Sequence, residues 1–388
     1  MKYFSQDGGW KEAPRIEHGL VAVPCALYRG GTSKGPVFLA SDLPADRVLR
    51  NQLILAALNP DHPGQIDGVG GAETLSNKVV IVSPSREPGA DVDYKFIQLT
   101  PGSTVVRDDC GTSGNMAAAV GPFALERGLV RTNGDETKVR IFAVDSRMLI
   151  SAKVRSPDGE VTYRGETAIA GISHAAAPVV LTYRAPFGNL TGTGAPTPTG
   201  NRREVIDGVP VTVIDAGGAL AMIFRADAVG RTGYESKAAL DADEALAVRM
   251  EPIRREAGRR LGLREAFVDD ALGTMMIAPA RDGGSISSRK LSTLADAPAR
   301  CHAAHSGSGA VCLAIAAMLP GTVAAEISTA GPGGGQREFG IEHPSGIMSV
   351  VVETEGSGAG TSVSGVSLLR TSRKLFDGTL YVPADVLR

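Results

Sequence analysis

Features that mark several special classes of protein are scarce in this sequence of 388 residues. Only 5% of the residues are aromatic, there is a single tryptophan, and the formal net charge is −2 at pH 7. Binding to nucleic-acid phosphates usually needs a positive excess, so no nucleic-acid partner is expected. No apolar run approaches the roughly 18 residues of a membrane span, and the opening residues show no secretory leader pattern. We therefore expect a cytoplasmic protein without a membrane partner.

Cysteine is also scarce, with four residues in the chain, Cys25, Cys110, Cys301 and Cys312. They form no CxxC pair and no Cys/His cluster of zinc-binding spacing. A structural metal or a disulfide framework is therefore not expected. Each isolated thiol is either a buried small apolar group or a reactive group.

Glycine and proline are abundant, with 48 and 23 residues, and 43% of the chain is hydrophobic. This composition favours a globular protein with many strands and turns. Alternating apolar and polar residues predict strands in both halves of the chain. The predicted strands cover residues 91–99, 138–144, 148–154, 179–183 and 347–353.

Helical patterns are fewer. Residues 45–58 and 235–261 are amphipathic, whereas residues 115–127 and 309–319 are apolar nearly all round and are predicted to be buried helices. Each buried helix follows a turn of small residues, CGTSGN or HSGSGA, and the two lie about 195 residues apart. This spacing predicts an α+β fold of two similar domains, each with a largely antiparallel sheet wrapped around one central helix.

The Gly/Thr/Pro-rich stretch 190–201 is the natural linker, and we place the boundary near residue 186. The domains would then be residues 1–185 and 186–388, with the C-terminal tail able to pack back on the first domain. The active site is expected in the cleft between them.

The turns before the buried helices are the first candidate site. A helix N-terminus that opens from a glycine-rich turn offers free backbone N–H groups to an anion. Two such ends facing each other would hold a polyanion. The alternative is that the small residues only allow close packing of helix and sheet.

Two further segments carry candidate residues. RGGTSKG at residues 29–35 lacks the spacing of a nucleotide-binding loop, and it is either a carboxylate clamp or a plain surface turn. Lys78 begins the apolar run of residues 79–82, so it is either a strand-edge lysine or a partly desolvated general base.

The second half offers further polar candidates near its buried helix. His302 and His305 precede that helix and would contact either substrate or the turn itself. Arg289 is a candidate carboxylate partner.

Five motifs occur in order along nearly the whole chain: RGGTSKG, IDGVGGAETLSNKVVIV, GNMAAAVGPFALERGLV, RCHA followed by GAV, and EHPSG. Together they resemble the family of 2-methylaconitate isomerase and 4-oxalomesaconate tautomerase. QIDGVGGA, VGPFALERGLV and LLRTSRKLFDG are most similar to the 4-oxalomesaconate tautomerase branch. The resemblance implies the diaminopimelate-epimerase-like fold.

The resemblance also implies chemistry without a cofactor, in which a lysine and a cysteine move a proton across an allylic system of a small unsaturated carboxylate. The lysine matches Lys78, in Ser-Asn-Lys where the family usually has Thr-Ser-Lys. At the cysteine position this chain has Ser113, while Cys110 lies three residues earlier. Either Ser113 hydrogen-bonds a dienolate made by one base, or Cys110 supplies the second acid/base.

We therefore predict an isomerase that shifts a C=C bond or interconverts keto and enol forms of an unsaturated tricarboxylate, with 4-oxalomesaconate as the best candidate. The alternatives are 2-methylaconitate or aconitate isomerisation, and a carboxylate-binding protein with little turnover. A homo-oligomer is left open. The candidate catalytic residues are Lys78, Ser113 and Cys110, and the candidate substrate-binding residues are Arg29, Gly31, Thr32, Ser33, Lys34, Gly70, Gly71, Gly114, Asn115, Arg289, His302, Ser306, Ser308 and Gly309.

Overall fold

A computed structural model describes residues 15–62, 64–108, 111–264, 268, 272–291, 301–331 and 333–387. The helices are α1 (Arg47–Leu58), α2 (Ala117–Glu126), α3 (Lys237–Asp241), α4 (Glu244–Arg260) and α5 (Gly307–Met318). The strands of the first half are β1 (Ile16–Glu17), β2 (Leu20–Gly30), β3 (Ser33–Leu39), β4 (Lys78–Pro84), β5 (Val92–Leu99), β6 (Val106–Arg107), β7 (Glu136–Ala143), β8 (Met148–Arg155) and β9 (Pro178–Arg184). Those of the second half are β10 (Glu204–Ile206), β11 (Val209–Asp215), β12 (Leu220–Arg225), β13 (Leu272–Ala278), β14 (Ile286–Leu291), β15 (Gly335–His343), β16 (Gly346–Glu355) and β17 (Ser362–Pro383).

The two halves repeat one pattern of strand pairing. In the first half, β2 to β5 pair antiparallel, parallel and antiparallel, and β5, β7, β8 and β9 then pair parallel, antiparallel and antiparallel. In the second half, β11 to β17 follow the same sequence of directions. In each half, the chain passes through helices where it connects parallel strands. The first such connection contains α1 in the first half and α3 and α4 in the second. The second connection contains one buried helix, which is α2 in the first half and α5 in the second. This repeat confirms the predicted α+β fold of two similar domains around central helices.

The last strand, β17, joins the halves. Its residues 362–368 pair with β16, residues 365–371 pair with β9, and residues 372–383 pair with β2. The pairing with β9 and β2 closes the strands of the first half into a ring around α2. We propose the domain boundary near residue 186, between β9 and β10, where the first set of pairings ends.

The central helices are buried because their residues are small and apolar. Ala117 to Ala119 on α2 and Ala314 to Ala317 on α5 are fully buried, so strands approach closely on all sides. Residues of both helices belong to one continuous apolar core. The halves are therefore packed against each other through this core as well as through β17.

The predicted helix at 235–261 is wrong as a single element, because α3 ends at Asp241 and α4 begins at Glu244. The side chain of Asp243 accepts a hydrogen bond from Leu246 N and caps α4. The helix predicted from residue 309 begins at Gly307, because the hydroxyl of Ser306 accepts from Gly309 N and forms the cap there. Across the described ranges, no helix is long and apolar enough to cross a membrane.

Candidate active site

The N-termini of α2 and α5 meet in the middle of the molecule. A Cβ atom placed on Gly114 would lie 2.9 Å from Ser308 N and 3.0 Å from the hydroxyl of Tyr183. A Cβ atom on Gly307 would lie 3.2 Å from Gly114 Cα. Only glycine permits this backbone contact. The N-termini of α2 and α5 therefore lie side by side, and two helix N-termini in one place favour an anion there.

Lys78 and Ser113 lie next to each other at this junction. Lys78 is the first residue of β4, and its Nζ donates to Ser113 Oγ over 3.3 Å. Its Nζ also lies 5.6 Å from the centre of the Phe96 ring. Ser113 Oγ accepts from Met116 N in the first turn of α2, at 3.3 Å. The amine of Lys78, the hydroxyl of Ser113 and the N-terminus of α2 therefore lie next to each other.

A buried tyrosine holds the backbone of Ser113 in place through two hydrogen bonds. The Tyr94 hydroxyl donates to Ser113 O over 3.2 Å and accepts from Ser113 N over 3.1 Å. Tyr94 lies on β5 and is 1% exposed. This double contact holds the residue that stands in the cysteine position of the family, and no sequence signal singled out Tyr94.

A buried amide pair positions the loop before Lys78. Gln65 Nε2 donates to Asn77 Oδ1 at 2.6 Å, and Asn77 Nδ2 donates back to Gln65 Oε1 at 2.7 Å. Gly70 packs against this pair, because a Cβ there would lie 2.2 Å from Gln65 Nε2. Gly35 lies against the Lys78 carbonyl with no space for a side chain. Gly70 therefore shapes the loop beside Lys78.

The turn between β2 and β3 contacts the start of α2. Gly31 has φ +53° and would place a Cβ onto Asn115 Oδ1, and Asn115 Nδ2 donates to Thr32 Oγ1 at 3.0 Å. Ser33 is 2% exposed, and its hydroxyl has no hydrogen-bond partner. These contacts bring the turn and the helix N-terminus together as one surface.

The cations of this turn differ in position. Arg29 Nη1 donates to the carbonyls of Gly31 and Thr371, at 2.8 and 3.0 Å, so the guanidinium ties the turn to β17. Burial lowers the pKa of Arg29 and the charge of Arg373 adds to this. Lys34 Nζ lies near Gly71, 3.8 Å from where a Cβ would be.

In the second half, His302 lies just before α5. Burial lowers the pKa of its imidazole to about 3, and the positive charge of Lys78 adds to the lowering. Its Nδ1 accepts from Ala304 N at 3.1 Å, and its backbone N donates to Lys290 O at 2.8 Å. His302 is therefore neutral at pH 7. Ser308 and Gly309 lie in the first turn of α5.

His305 and Arg289 are held by other contacts. His305 is fully buried, with Ser288 Oγ at 3.2 Å from Nε2 and Ser306 O at 3.0 Å from Nδ1. Both ring nitrogens therefore have hydrogen-bond partners. Of the two expected roles, contact with substrate or with the turn itself, His305 has the contact with the turn. Arg289 Nε donates to Glu235 O at 2.8 Å, toward α3.

Three of the cysteines are described, and all are buried. Burial raises the pKa of Cys25 and Cys301 to about 11 and that of Cys312 to about 12, so they are thiols at neutral pH. Cys110 lies outside the described residues. Among the residues that the structure covers, no group of three or more His, Cys, Asp or Glu side chains could hold a metal ion.

Comparison with known proteins identifies relatives along nearly the whole chain. The (4E)-oxalomesaconate Delta-isomerase of Novosphingobium sp. (strain KA1) is 42% identical over 95% of this chain and 100% of its own length. The 4-oxalomesaconate tautomerase of Pseudomonas putida is 40% identical, over 95% and 98%. The 2-methyl-aconitate isomerase of Cupriavidus necator is 33% identical, over 94% and 98%. These relatives confirm the predicted resemblance.

Two solved structures show the fold. A methylitaconate-delta-isomerase matches with a TM-score of 0.75 and 27% identity, over 95% of this chain and 98% of its own. A hydroxyproline epimerase from Agrobacterium vitis matches with a TM-score of 0.54 and 13% identity, over 93% of each chain. The predicted epimerase-like fold is confirmed. Because the PrpF protein family matches residues 20–383, the chain belongs to the PrpF family.

Proposed function

We propose that this enzyme isomerises a small unsaturated tricarboxylate, with 4-oxalomesaconate as the best candidate, by moving a proton across its allylic system. The observation that carries the proposal is Lys78 Nζ at 3.3 Å from Ser113 Oγ, at the N-terminus of α2. The relatives named for 4-oxalomesaconate support the choice of substrate. Isomerisation of 2-methylaconitate or aconitate is the alternative within the same chemistry.

The reaction requires one base and an anion site. The step begins from the unprotonated form of Lys78, whose Nζ removes a proton from the allylic carbon, and the C–H electron pair spreads over the conjugated carbonyl as a dienolate. The ammonium then returns the proton at the other end of the allylic system. The product differs from the substrate only in the positions of one proton and the double bonds, so no oxidant or reductant is needed.

The helix ends stabilise the dienolate. The N–H groups at Gly114, Asn115 and Ser308 are the proposed oxyanion donors, whereas Gly309 N already donates to Ser306 Oγ. Ser113 contributes a hydroxyl that already contacts Lys78. Residues of both halves lie around this junction, and we place the active site in the cleft between residues 1–185 and 186–388.

A second role is favoured by one specific observation, the serine at the cysteine position of the family. A serine hydroxyl is too weak an acid to exchange protons freely, whereas a thiol titrates near 8.5. A carboxylate-binding protein with little turnover is therefore the alternative function. The expected cytoplasmic location and any homo-oligomer stay predictions.

The test uses the purified full chain after exhaustive chelation and dialysis. It is incubated in deuterium oxide with 4-oxalomesaconate, 2-methylaconitate or aconitate, and ultraviolet absorbance and deuterium content are followed. An isomerase shifts the absorbance and washes deuterium into an allylic carbon. Binding without exchange, for every acid, would establish the binding-protein role instead. Activity restored only by an added metal or nucleotide would contradict the cofactor-free mechanism.

A further inference from the structure

Four strongly buried residues near the helix junction carry polar atoms without a hydrogen-bond partner. The atoms are Arg370 Nε, Tyr183 Oη, His343 Nε2 and Asn115 Oδ1, and each residue is 6% exposed or less. Leaving buried polar atoms unpaired costs free energy, so native proteins rarely collect them in one place. A bound ligand or an ordered water can supply the missing partners.

These residues surround the point where β17 passes between the halves. Arg370 pairs with Val179, and the carbonyl of the next residue, Thr371, accepts from Gly31 N at 2.9 Å. Arg370 is therefore next in sequence to the residue that bonds the turn between β2 and β3. The Tyr183 hydroxyl lies against Gly114, at the contact between α2 and α5. Arg370 also contacts Met348, which lies two residues after the Gly346 that pairs with His343, and its strand partner Val179 lies on the same strand as Tyr183.

Arg370 is unusual among the buried arginines. It is 3% exposed, and its guanidinium donates to Leu369 O and Met348 Sδ, each at 2.8 Å. A thioether is a weak acceptor. Of the other buried arginines, Arg50 and Arg254 each bind a carboxylate, of Asp108 and Glu251, and Arg289 donates to two carbonyls and a hydroxyl. Within the described part of the chain, no carboxylate forms an ion pair with Arg370.

Three of the four unpartnered atoms are hydrogen donors. Arg370 Nε and the Tyr183 hydroxyl both carry a hydrogen. His343 Nδ1 accepts from Ser345 N at 3.2 Å, so the proton of the neutral ring lies on Nε2. Burial keeps this ring neutral by lowering its pKa to about 4. A group of donors beside an unpaired cation fits a ligand that only accepts, and a carboxylate is such a ligand.

We propose that Arg370, together with Tyr183 and His343, binds one carboxylate of the substrate and sets a preference for three carboxylates over two. This inference rests on the proposed function, which it deepens by naming the residues that recognise one acid group. Arg370 and His343 lie in the segments LLRTSRKLFDG and EHPSG, but neither was among the candidate site residues.

The test measures binding by calorimetry, without turnover. Tricarballylate serves as the tricarboxylate probe, and glutarate has the same carbon chain without the central carboxylate. In Arg370→Gln, tricarballylate should bind about tenfold more weakly or worse, as expected for loss of a hydrogen bond between charged groups, while glutarate changes little. Tyr183→Phe should weaken tricarballylate binding in the same direction. Arg373→Gln, an exposed arginine on the same strand, is the matched control and should bind both acids normally.

The inference is overturned if folded Arg370→Gln prefers tricarballylate as strongly as the unaltered protein does. Should Arg370→Gln fail to fold, unchanged binding by Tyr183→Phe would overturn it instead. Its failure is distinct from failure of the proposed function. A protein that discriminates between the acids through Arg370 but exchanges no deuterium keeps this inference and loses the isomerase role, whereas normal turnover with an indifferent Arg370 does the reverse.

Discussion

Lys78 begins strand β4, and its amine contacts the Ser113 hydroxyl in the candidate active site. An ordinary strand-edge lysine can be truncated at small cost, but a sole proton carrier cannot be replaced. Lys78→Ala should therefore remain folded and lose more than nine-tenths of the isomerisation rate, a rise in barrier of about 1.4 kcal/mol or more. Steady-state kinetics and thermal unfolding measure the two properties.

Lys138→Ala is the matched control for this substitution, because Lys138 is an exposed lysine on β7, away from the junction. It should keep both rate and stability. If Lys78→Ala keeps more than about a tenth of the rate, Lys78 is only a strand-edge lysine.

Substitutions can also distinguish the role of Ser113 from that of Cys110. If it donates a hydrogen bond to the dienolate, Ser113→Ala should lower kcat by on the order of a hundredfold, and Cys110→Ala should change it little. The reverse pattern, with inactivation by thiol alkylation and protection by a tricarboxylate, would identify Cys110 as the second acid/base. Activity of the two variants under saturating substrate decides between them.

Ser113→Cys tests the same position from the other direction. In a site still shaped for the chemistry of the family, a thiol beside Lys78 should retain or raise activity. A folded but inactive Ser113→Cys protein would show that position 113 no longer serves proton transfer. Circular dichroism and kinetics on one preparation distinguish this result from misfolding.

At the scale of elements, the contact between α2 and α5 allows no side chain at Gly114. Gly114→Ala places a methyl group 2.9 Å from Ser308 N, where backbone of the other helix must move. We expect a loss of about 1 to 3 kcal/mol in the free energy of unfolding, together with lost activity. Gly360→Ala, where no atom lies within 4 Å of the added carbon, should be nearly neutral. Equal stability of both variants in urea unfolding would contradict the close contact.

Elements differed in how far the sequence could predict them. The alanine-rich runs predicted α2 and α5, because a helix that is apolar on all sides is stable only when it is buried in the core. The break at Asp243 was missed, because helical periodicity continues across a cap. The sequence allows the C-terminal tail to pack back on the first domain, as β17 does on β2 and β9, but the register could not be predicted, since partners such as Arg373 and Arg29 lie more than three hundred positions apart and share no local signal.

The candidate site was predicted unevenly for the same reason. Lys78 and Ser113 followed from motifs whose order along the chain resembles the family. Arg370 and Tyr183 did not, because nothing in their neighbours shows that one lacks a counter-ion and the other lacks an acceptor. Those properties exist only after the strands assemble.

For the whole molecule, the buried histidines predict a dependence of stability on acid. Burial lowers the pKa of His302 and His305 to about 3 and that of His343 to about 4, against 6.5 for an ordinary histidine. Below pH 6.5 the unfolded chain binds protons that the folded chain does not. The free energy of unfolding should therefore fall as pH falls from 6.5 toward 4, by about 1.4 kcal/mol per pH unit for fully buried His305.

Urea unfolding at several pH values measures this slope. His305→Gln should make it shallower by about one proton, whereas the exposed His174→Gln should leave it unchanged. Identical slopes in all three proteins would show that folding does not lower the pKa of His305.

The path of β17 has a consequence for biosynthesis. The ring around α2 contains strands from residue 20 onward, but its closing strand ends at residue 383. During translation the first half therefore stays open between β2 and β9 until residues 365–383 of β17 have left the ribosome. Pairing across such a separation is slow, and exposed strand edges invite aggregation in the interval. Yield in the cell should then depend on translation speed and on chaperones that shield β2 and β9, more than on the stability of the finished enzyme.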